Sequence, residues 1–341
     1  MLILGIESSC DETSAAVVLA EDKNGRTAFS VKSNIIASQI AVHARYGGVV
    51  PEIASRAHSE AISEVTSRAL SEAGVSASDI GLVAVTSDPG LIGSLLVGVN
   101  FAKALAYACS VPLVGVNHIK GHIAANYLQD PPPEPPFLAF VASGGHTSML
   151  DVTSYTDMHT VGCTRDDAMG EAFDKTARVL GIPYPGGAEL DRLAYESDAP
   201  VPFPSAAIAG DTLDLSFSGM KTAVINHINT IKQRGETPDR AAIASGIVNG
   251  AVSSVIAKLK LAIEKTGRRS IVAAGGVAAS RHLRTALEAL CKKTGCSLFI
   301  PPIRFCGDNG AMIAAAGYFE YQNGNLSDIY LNACANGENE I

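Results

Sequence analysis

The residues of this sequence best suited to chemistry are two histidines and an aspartate. His118 and His122 are four positions apart, and Asp308 lies far downstream in the segment Phe305-Cys-Gly-Asp-Asn-Gly310. Side chains at positions i and i+4 share one face of a helix, so both imidazoles can reach one metal ion. A carboxylate from another helix start would complete a two-histidine, one-carboxylate set with coordination positions left open for substrate. The alternative is that the histidines are unrelated and that Asp308 only caps a helix.

A metallopeptidase is one enzyme class that such a histidine pair suggests, and the sequence disfavours it. A zincin helix carries a glutamate directly after its first histidine, where it acts as the general base. In this chain that position is Ile119. The histidine pair therefore predicts a metal site of another kind.

Four polar or glycine-rich turns follow predicted strands and are candidates for binding phosphate. They lie at residues 7–14, 88–94, 142–147 and 275–280. Glycine lets backbone N–H groups approach a ligand closely, and the amides of turns and helix starts bind anions. No GxxxxGK[ST] motif is present and no GxGxxG opens the first helix, so this is neither a P-loop nor a Rossmann site. Phosphate-binding turns in both halves are the arrangement of the actin, Hsp70 and sugar-kinase superfamily.

Strands that alternate with helices predict an α/β fold with two similar halves. In the first half, strands are predicted at 2–7, 15–20, 29–40, 82–86 and 113–116, and helices from 51 to 73, at 91–109 and at the histidine pair. In the second half, strands are predicted at 137–142, 146–152, 271–274 and 298–300, and helices near 168–180, 217–232, 239–266, 280–294 and 309–321. The helix that begins at Pro51 is predicted to bury a stripe made of Ile53, Ala57, Ala61 and Val65.

The proline-rich segment 131–136 is the clearest break in this pattern. Polyproline is stiff and cannot continue a helix. We therefore predict a boundary there between an N-terminal lobe at 1–130 and a C-terminal lobe at 131–307. The resemblance to the actin-like superfamily implies that both lobes are actin-like and that the C-terminal helix at about 308–325 joins the N-terminal lobe. A two-lobed fold of this kind would have an interdomain cleft, which is a common place for a ligand.

Composition and charge narrow the class of protein. The 341 residues are 47% hydrophobic and 18% charged, so the chain can bury a large core. A formal net charge of −8 disfavours binding of nucleic acid by bulk electrostatics, so RNA binding would need a partner or a local basic patch. No apolar run is expected to reach the roughly 18–20 residues of a membrane span. Seven cysteines without a CxxC pair suit reduced thiols, and we expect a cytoplasmic protein.

Eight motifs occur in a specific order along the chain. They are Gly5-Ile-Glu-Ser-Ser-Cys-Asp-Glu-Thr13, Val50-Pro-Glu-Ile-Ala-Ser-Arg-Ala-His58, His118-Ile-Lys-Gly-His122, Ser143-Gly-Gly-His-Thr147, Tyr184-Pro-Gly-Gly187, Phe217-Ser-Gly-Met-Lys-Thr-Ala223, Gly275-Gly-Val277 and Asp308-Asn309. Together they closely resemble the bacterial TsaD family of tRNA N6-adenosine threonylcarbamoyltransferases, formerly called glycoproteases. The resemblance spans nearly the whole chain and implies an α/β, actin-like fold.

The resemblance also implies a metal and a substrate site. It implies one divalent metal per subunit, Fe²⁺ in the first place and Zn²⁺ as the alternative, with His118, His122 and Asp308 as ligands. The implied substrate-binding residues are Val141, Ala142, Ser143, Gly144, Gly145, Asp174, Gly187, Asp191 and Ser280. The family usually has asparagine at the last of these positions, and because serine is shorter its contact would be retained through water or lost.

The residues themselves leave alternatives open. Asp174 could be a surface carboxylate in the middle of a helix, and Asp191 could pair with Arg192 or Lys175. Asp11 and Glu12 are the candidate catalytic carboxylates, and the alternative is that they cap the first hairpin.

The implied reaction transfers the threonylcarbamoyl group from threonylcarbamoyl-AMP to N6 of the adenosine 3′ of the anticodon, in tRNAs that read ANN codons. The implied partners are tRNA, an inactive TsaB-like paralogue and a TsaE-like P-loop ATPase. No association with a membrane is expected. Two rival interpretations are an ATP-dependent kinase and an Hsp70-like nucleotide-binding module of the same superfamily. Neither rival needs a site made of two histidines.

Overall fold

The computed structural model describes residues 1–23 and 25–336, which divide into two compact units. Unit 1 comprises Met1–Pro135, Thr153–Met158 and the chain from Pro301 onward. Unit 2 comprises Pro136–Val152 and His159–Ile300. The first crossing between them falls inside the proline-rich segment.

Strands and helices alternate along the described chain. The strands are β1 (Leu2–Glu7), β2 (Glu12–Lys23), β3 (Arg26–Ser38), β4 (Leu82–Asp88), β5 (Leu113–Asn117), β6 (Phe137–Ala142), β7 (Thr147–Val152), β8 (Met158–Cys163), β9 (Ser270–Ala274) and β10 (Ser297–Phe299). The α-helices are α1 (Ile40–His43), α2 (Pro51–Ala73), α3 (Ile92–Cys109), α4 (His118–Ala124), α5 (Met169–Val179), α6 (Gly187–Leu193), α7 (Ser218–Gln233), α8 (Arg240–Thr266), α9 (Arg281–Thr294) and α10 (Gly310–Gln322).

The two sheets have the same strand plan. In the first sheet the order is β3-β2-β1-β4-β5, and in the second it is β10-β9-β6-β7-β8, so the first strand of each half is central. The central strand pairs antiparallel with the next strand along the chain and parallel with a later one, β1 with β4 and β6 with β9. The predicted repeat of topology is confirmed.

Helices cover both faces of the first sheet. Leu4 and Ile6 of β1 belong to an apolar cluster that includes Ile62 and Val65 of α2 and Val99 of α3. Residues that alternate along a strand point to opposite faces, and α10 packs on β1 and β2 through the other face. The central strand is therefore buried on both sides, as expected for a strand that reads as a continuous apolar run.

Gly5 and Gly310 bring α10 unusually close to the sheet. A Cβ at Gly5 would lie 2.1 Å from the carbonyl oxygen of Gly310 and 2.6 Å from the amide nitrogen of Ala314. The amide of Gly310 donates a hydrogen bond to Ser14 Oγ at 2.8 Å. Because α10 begins in this contact, Asp308 is held beside the turn between β1 and β2.

Replacing Gly5 with alanine is expected to lower the free energy of unfolding by about 3 kcal/mol, since the added methyl group meets backbone atoms that cannot rotate away. Chemical denaturation monitored by circular dichroism measures this loss. Gly250→Ala in α8 is the control, because a Cβ there meets nothing within 4 Å. The control should raise stability by up to about 1 kcal/mol. Equal midpoints for Gly5→Ala and the wild type would contradict the packing argument.

The structure corrects two expectations. The buried stripe of α2 is Ala54, His58, Ile62, Val65, Thr66 and Ala69, so the predicted stripe is displaced by one residue over most of its length. The cause is His58, a polar residue that faces inward because it bonds to the β1–β2 turn.

The second correction concerns the length of the apolar helices. By length and composition, α3 and α8 could each cross a membrane, although 72% of the apolar window of α8 is buried within the protein. Core helices pass the same test.

Candidate metal centre and ligand cavity

The two predicted histidine ligands lie on a helix whose start is fixed by Asn117. This residue ends β5, and its side-chain oxygen accepts hydrogen bonds from the amides of Ile119 and Lys120 at 2.9 and 3.3 Å. The amide group of Asn117 in turn donates to Asp88 Oδ1 at 2.5 Å. The cap starts α4 at His118, so the next inward position on the same face is His122.

The structure brings His118, His122 and Asp308 together. Asp308 Oδ1 lies 3.7 Å from His118 Nε2 and 3.3 Å from His122 Nε2. One donor atom from each of the three residues lies within 4.8 Å of the others. Ligand atoms about 2.1 Å from one ion at tetrahedral angles would be about 3.4 Å apart. The spacing therefore fits three ligands around a single metal ion.

The chemistry of His122 supports the same conclusion. Its side chain is completely buried, and neither ring nitrogen has a hydrogen-bond partner among the described residues. A buried polar atom without a partner is costly, and such atoms in native proteins call for an explanation. A metal ion would supply the missing partner. The alternative role for Asp308 does not hold, because Asn309 caps α10 and accepts from the amide of Met312 at 3.0 Å.

The charges around His118 change its ionisation in the metal-free protein. Burial lowers the pKa of His118, but the nearby carboxylates of Glu7 and Asp308 and a hydrogen bond to Glu7 outweigh burial and raise the pKa to about 9. Metal binding requires a deprotonated ring nitrogen, so a cation at this site would replace a proton.

Asp11 lies in the turn between β1 and β2, Glu12 is the first residue of β2, and their carboxyl groups interact. Burial, then the charges of Asp308 and Asp11, raise the pKa of Glu12 to about 9. Glu12 Oε1 also accepts a hydrogen bond from Ser38 at 3.0 Å. At neutral pH this pair of carboxyl groups therefore retains a proton, which places an acid–base group close to Asp308.

His58 holds the backbone of this turn and was not among the predicted site residues. Burial lowers the pKa of His58, so the ring is neutral at pH 7. Its Nε2 donates to the carbonyl oxygen of Cys10 at 2.9 Å, and its Nδ1 accepts from the hydroxyl of Thr13 at 2.7 Å. The contact spans more than forty residues of sequence, so helix periodicity alone could not reveal it.

Unit 2 contains a cavity of about 660 Å³. Five predicted substrate-binding residues line it: Gly144, Asp174, Gly187, Asp191 and Ser280. Val141 and Ala142 are buried in β6, and Ser143 and Gly145 are not among its lining residues. Ser143 instead closes the hairpin after β6, where its hydroxyl accepts from the amide of His146 at 3.1 Å.

Asp174 fixes one wall of this cavity. Its Oδ1 accepts hydrogen bonds from the amides of Gly186 and Gly187 at 2.7 and 2.9 Å. The carboxylate therefore holds the turn that precedes α6, and it is not the isolated surface carboxylate of the alternative interpretation.

Asp191 organises another part of the lining. Its carboxylate accepts from Ser280 Oγ at 2.6 Å, from the amide of Arg281 at 3.2 Å and from His282 Nδ1 at 2.9 Å. Arg192 pairs with Glu189 and Glu196, and Lys175 pairs with Asp167 and Glu171, so neither is the partner of Asp191. The hydroxyl of Ser280 also accepts from the amide of Leu283 at 3.2 Å and caps α9.

Tyr195 and Arg281 also line the cavity and were not predicted. The guanidinium carbon of Arg281 lies 4.9 Å from the ring centroid of Tyr195, and the ring of His282 lies 3.8 Å from it. An aromatic ring beside a cation can stack against a flat ligand. These residues come from separate segments, so only the fold brings them together.

Two five-stranded sheets of the same order, together with the glycine-rich turns, define an actin-like α/β protein with a candidate metal site. Solved structures confirm the fold. Full-length HypF in its phosphate- and nucleotide-bound form matches with a TM-score of 0.61 at 15% identity, over 98% of this chain and 47% of HypF. The activator of 2-hydroxyisocaproyl-CoA dehydratase from Clostridium difficile matches with a TM-score of 0.52 at 13% identity, over 95% of this chain and 97% of that one.

Sequence comparison assigns the family. The family model of TsaD, tRNA N6-adenosine threonylcarbamoyltransferase, matches residues 30–315. The enzyme of that name from Clostridium beijerinckii is 48% identical over 98% of this chain and 97% of its own length. The one from Geobacillus thermodenitrificans is 50% identical over 97% of this chain and 95% of its own length. The chain therefore belongs to the TsaD family and is a tRNA threonylcarbamoyltransferase, which confirms the family, fold and enzyme class predicted from the motifs.

Proposed function

We propose that this enzyme transfers the threonylcarbamoyl group of threonylcarbamoyl-AMP to N6 of the adenosine 3′ of the anticodon, in tRNAs that read ANN codons. The observation that carries the proposal is the set formed by the buried His118 and His122 with the partly exposed Asp308, in which His122 has no hydrogen-bond partner within the described chain. An exocyclic adenine amine is a weak nucleophile, so the carbonyl carbon that it attacks must be made more electrophilic. A group that polarises the carbonyl meets this need.

The metal part of the proposal assigns one divalent ion to these three residues. Fe²⁺ is the first candidate and Zn²⁺ is the alternative. A bound ion of this kind would act as a Lewis acid on an oxygen of the threonylcarbamoyl group. Two imidazoles suit both metals, and three protein ligands leave a position open.

The chain's own residues would bind the adenylate and handle the proton. We assign AMP to the cavity of unit 2, with Asp174, Gly187, Asp191 and Ser280 in its walls and the backbone of 141–145 at its phosphate. As the N6–carbon bond forms, the bond from the carbonyl carbon to the phosphate oxygen breaks, and AMP leaves with the electron pair. Turn amides can stabilise the charge that develops on the phosphate. The N6 proton passes to the carboxylate of the Asp11–Glu12 pair that does not carry the retained proton.

The proposal also covers the partners of the protein, its location in the cell and its division into domains. With a net charge of −8 the chain has little bulk attraction for tRNA, which supports a role for partner proteins in binding it. We propose that its partners are an inactive TsaB-like paralogue and a TsaE-like P-loop ATPase. We also propose that the protein acts in the cytoplasm. We further propose that 1–130 with the helix at about 308–325 forms one domain and that 131–307 forms the other.

Reconstitution tests the proposal. Metal-depleted protein would be incubated with threonylcarbamoyl-AMP and unmodified tRNA, with and without the two partners, and Fe²⁺ or Zn²⁺ would be added back separately. Nucleoside mass spectrometry should detect threonylcarbamoyladenosine only in samples that contain metal. Full modification by metal-free protein would contradict the metal assignment. Transfer of labelled phosphate from ATP to a small molecule, without tRNA modification, would favour the kinase alternative, and nucleotide-dependent binding without turnover would favour the Hsp70-like one.

A further inference from the structure

Glu7 is a buried carboxylate that the proposed reaction does not use. It is the last residue of β1, the central strand of the first sheet, and its side chain is completely buried. A buried carboxylate is costly unless its oxygens are paired and hydrogen-bonded. The sequence placed Glu7 at the end of a predicted strand and in a turn that could bind phosphate, and its actual partners indicate a different role.

Both oxygens of Glu7 accept hydrogen bonds. Oε1 accepts from the amide of Ser9 at 2.5 Å. Oε2 accepts from the hydroxyl of Thr86 at 2.6 Å and from His118 Nδ1 at 3.0 Å. One oxygen therefore takes a backbone N–H and the other takes two side-chain donors, so the carboxylate acts as an acceptor at both oxygens.

The contact with His118 determines which ring nitrogen faces the candidate metal site. Because the carboxylate accepts at both oxygens, His118 Nδ1 carries the hydrogen of this bond. Nε2 is then the nitrogen that can offer a lone pair, and it is the atom 3.7 Å from Asp308 Oδ1. The hydroxyl of Ser9 lies 3.2 Å from the same nitrogen, Nδ1, and helps to hold the ring in this orientation.

We propose that Glu7 is a positioning residue that fixes the ring orientation and the tautomer of His118, so that Nε2 is directed to the metal. The inference rests on the metal centre of the proposed function. Metal-bound histidines commonly donate their other N–H to a carboxylate, and loss of that partner typically lowers metal affinity by about 10- to 100-fold. His122 has no such partner among the described residues, so the two ligands are oriented by different means.

Glu7→Gln is the decisive variant, because it keeps the size of the side chain and changes one oxygen to an NH₂ group. The backbone amide of Ser9 can only donate, so it will hold the remaining oxygen of the glutamine. The NH₂ group then faces His118 Nδ1 and Thr86, whose hydroxyl can rotate to accept. This arrangement favours the tautomer with hydrogen on Nε2, the nitrogen needed by the metal.

The experiment measures Zn²⁺ affinity by competition with a chelating dye. The tautomer of His118 is measured by ¹⁵N NMR of histidine-labelled, metal-free protein at a pH high enough to make the ring neutral, with the His118→Ala spectrum as the assignment. Glu7→Gln should bind Zn²⁺ about 10- to 100-fold more weakly than the wild type. Its His118 signals should move toward the pattern of hydrogen on Nε2. Circular dichroism of each variant establishes that it is folded.

Thr86→Val is the matched control, because it removes another partner of the same carboxylate oxygen and leaves the bond to His118. Its Zn²⁺ affinity should stay within about threefold of the wild type. Equal Zn²⁺ affinity and an unchanged His118 spectrum in Glu7→Gln would overturn the inference. A wild-type protein that binds neither Zn²⁺ nor Fe²⁺ would instead overturn the metal centre itself, so the two failures are distinguishable.

Discussion

Replacing His122 with leucine is expected to abolish metal binding and lower transferase activity by about 10³-fold or more, because a metal's stabilisation of developing charge is worth several kcal/mol and each 1.36 kcal/mol is a factor of ten. The fold should survive. Neither ring nitrogen of His122 has a hydrogen-bond partner in the described part of the chain, although Nε2 lies 3.3 Å from Asp308. Leucine of similar volume removes two unsatisfied polar atoms, so the metal-free variant should unfold at no lower temperature than the metal-free wild type.

His43→Leu is the matched control for this prediction. His43 is as deeply buried as His122, but its Nε2 donates to Gln39 at 3.1 Å and its Nδ1 accepts from the amide of Val50 at 3.2 Å. The leucine variant leaves the buried Gln39 side chain and the partly buried Val50 amide without these partners, so it should lose about 2 kcal/mol of stability and keep its metal. Elemental analysis and calorimetry of both variants provide the comparison. Full metal occupancy in His122→Leu would refute the ligand assignment.

Most of the fold could be predicted from the sequence because its signals are local. Runs such as Leu2–Glu7 and Phe137–Ala142 are apolar almost throughout, as expected for central strands buried on two faces, and the structure has the same bounds. The strand Met158–Cys163 was not predicted, because its exposed residues weaken the pattern. In α2 the polar His58 faces inward, which no apolar period could indicate.

Only those residues of the candidate site that have a recognisable spacing, or that lie in a motif, could be predicted from the sequence. The separation of His118 and His122 indicated a shared face, and the order of motifs pointed to Asp308. The contacts that complete the site are long-range: Glu7 meets His118 across 111 positions, and Ser280 meets Asp191 across 89. Glu7 has no sequence spacing that marks it as a histidine partner. Ser280 stays a predicted substrate contact, and the sequence did not indicate that its hydroxyl also bonds to Asp191 and to the start of α9.

Replacing Asp174 with alanine is expected to weaken AMP binding by about tenfold or more, since the amides of Gly186 and Gly187 lose a charged acceptor and hydrogen bonds to charged groups are worth about 1.5–3 kcal/mol. Those two amides hold the turn that leads into α6, and Gly187 lines the cavity with Asp174. Titration calorimetry with AMP measures the change. Asp174→Asn keeps an oxygen for both amides, so it should preserve the turn and recover most of the affinity if positioning is the main role.

Glu171→Ala is the control on the same helix. Glu171 lies three residues before Asp174 in α5 and pairs with Lys175 at 3.0 Å on a partly exposed surface. An exposed ion pair of this kind contributes little to stability, typically less than about 1 kcal/mol. Glu171→Ala should therefore leave AMP affinity within about twofold of the wild type. If Asp174→Ala bound AMP as tightly as this control, the carboxylate would have no part in the cavity's ligand binding, and the assignment of AMP to this wall would be wrong.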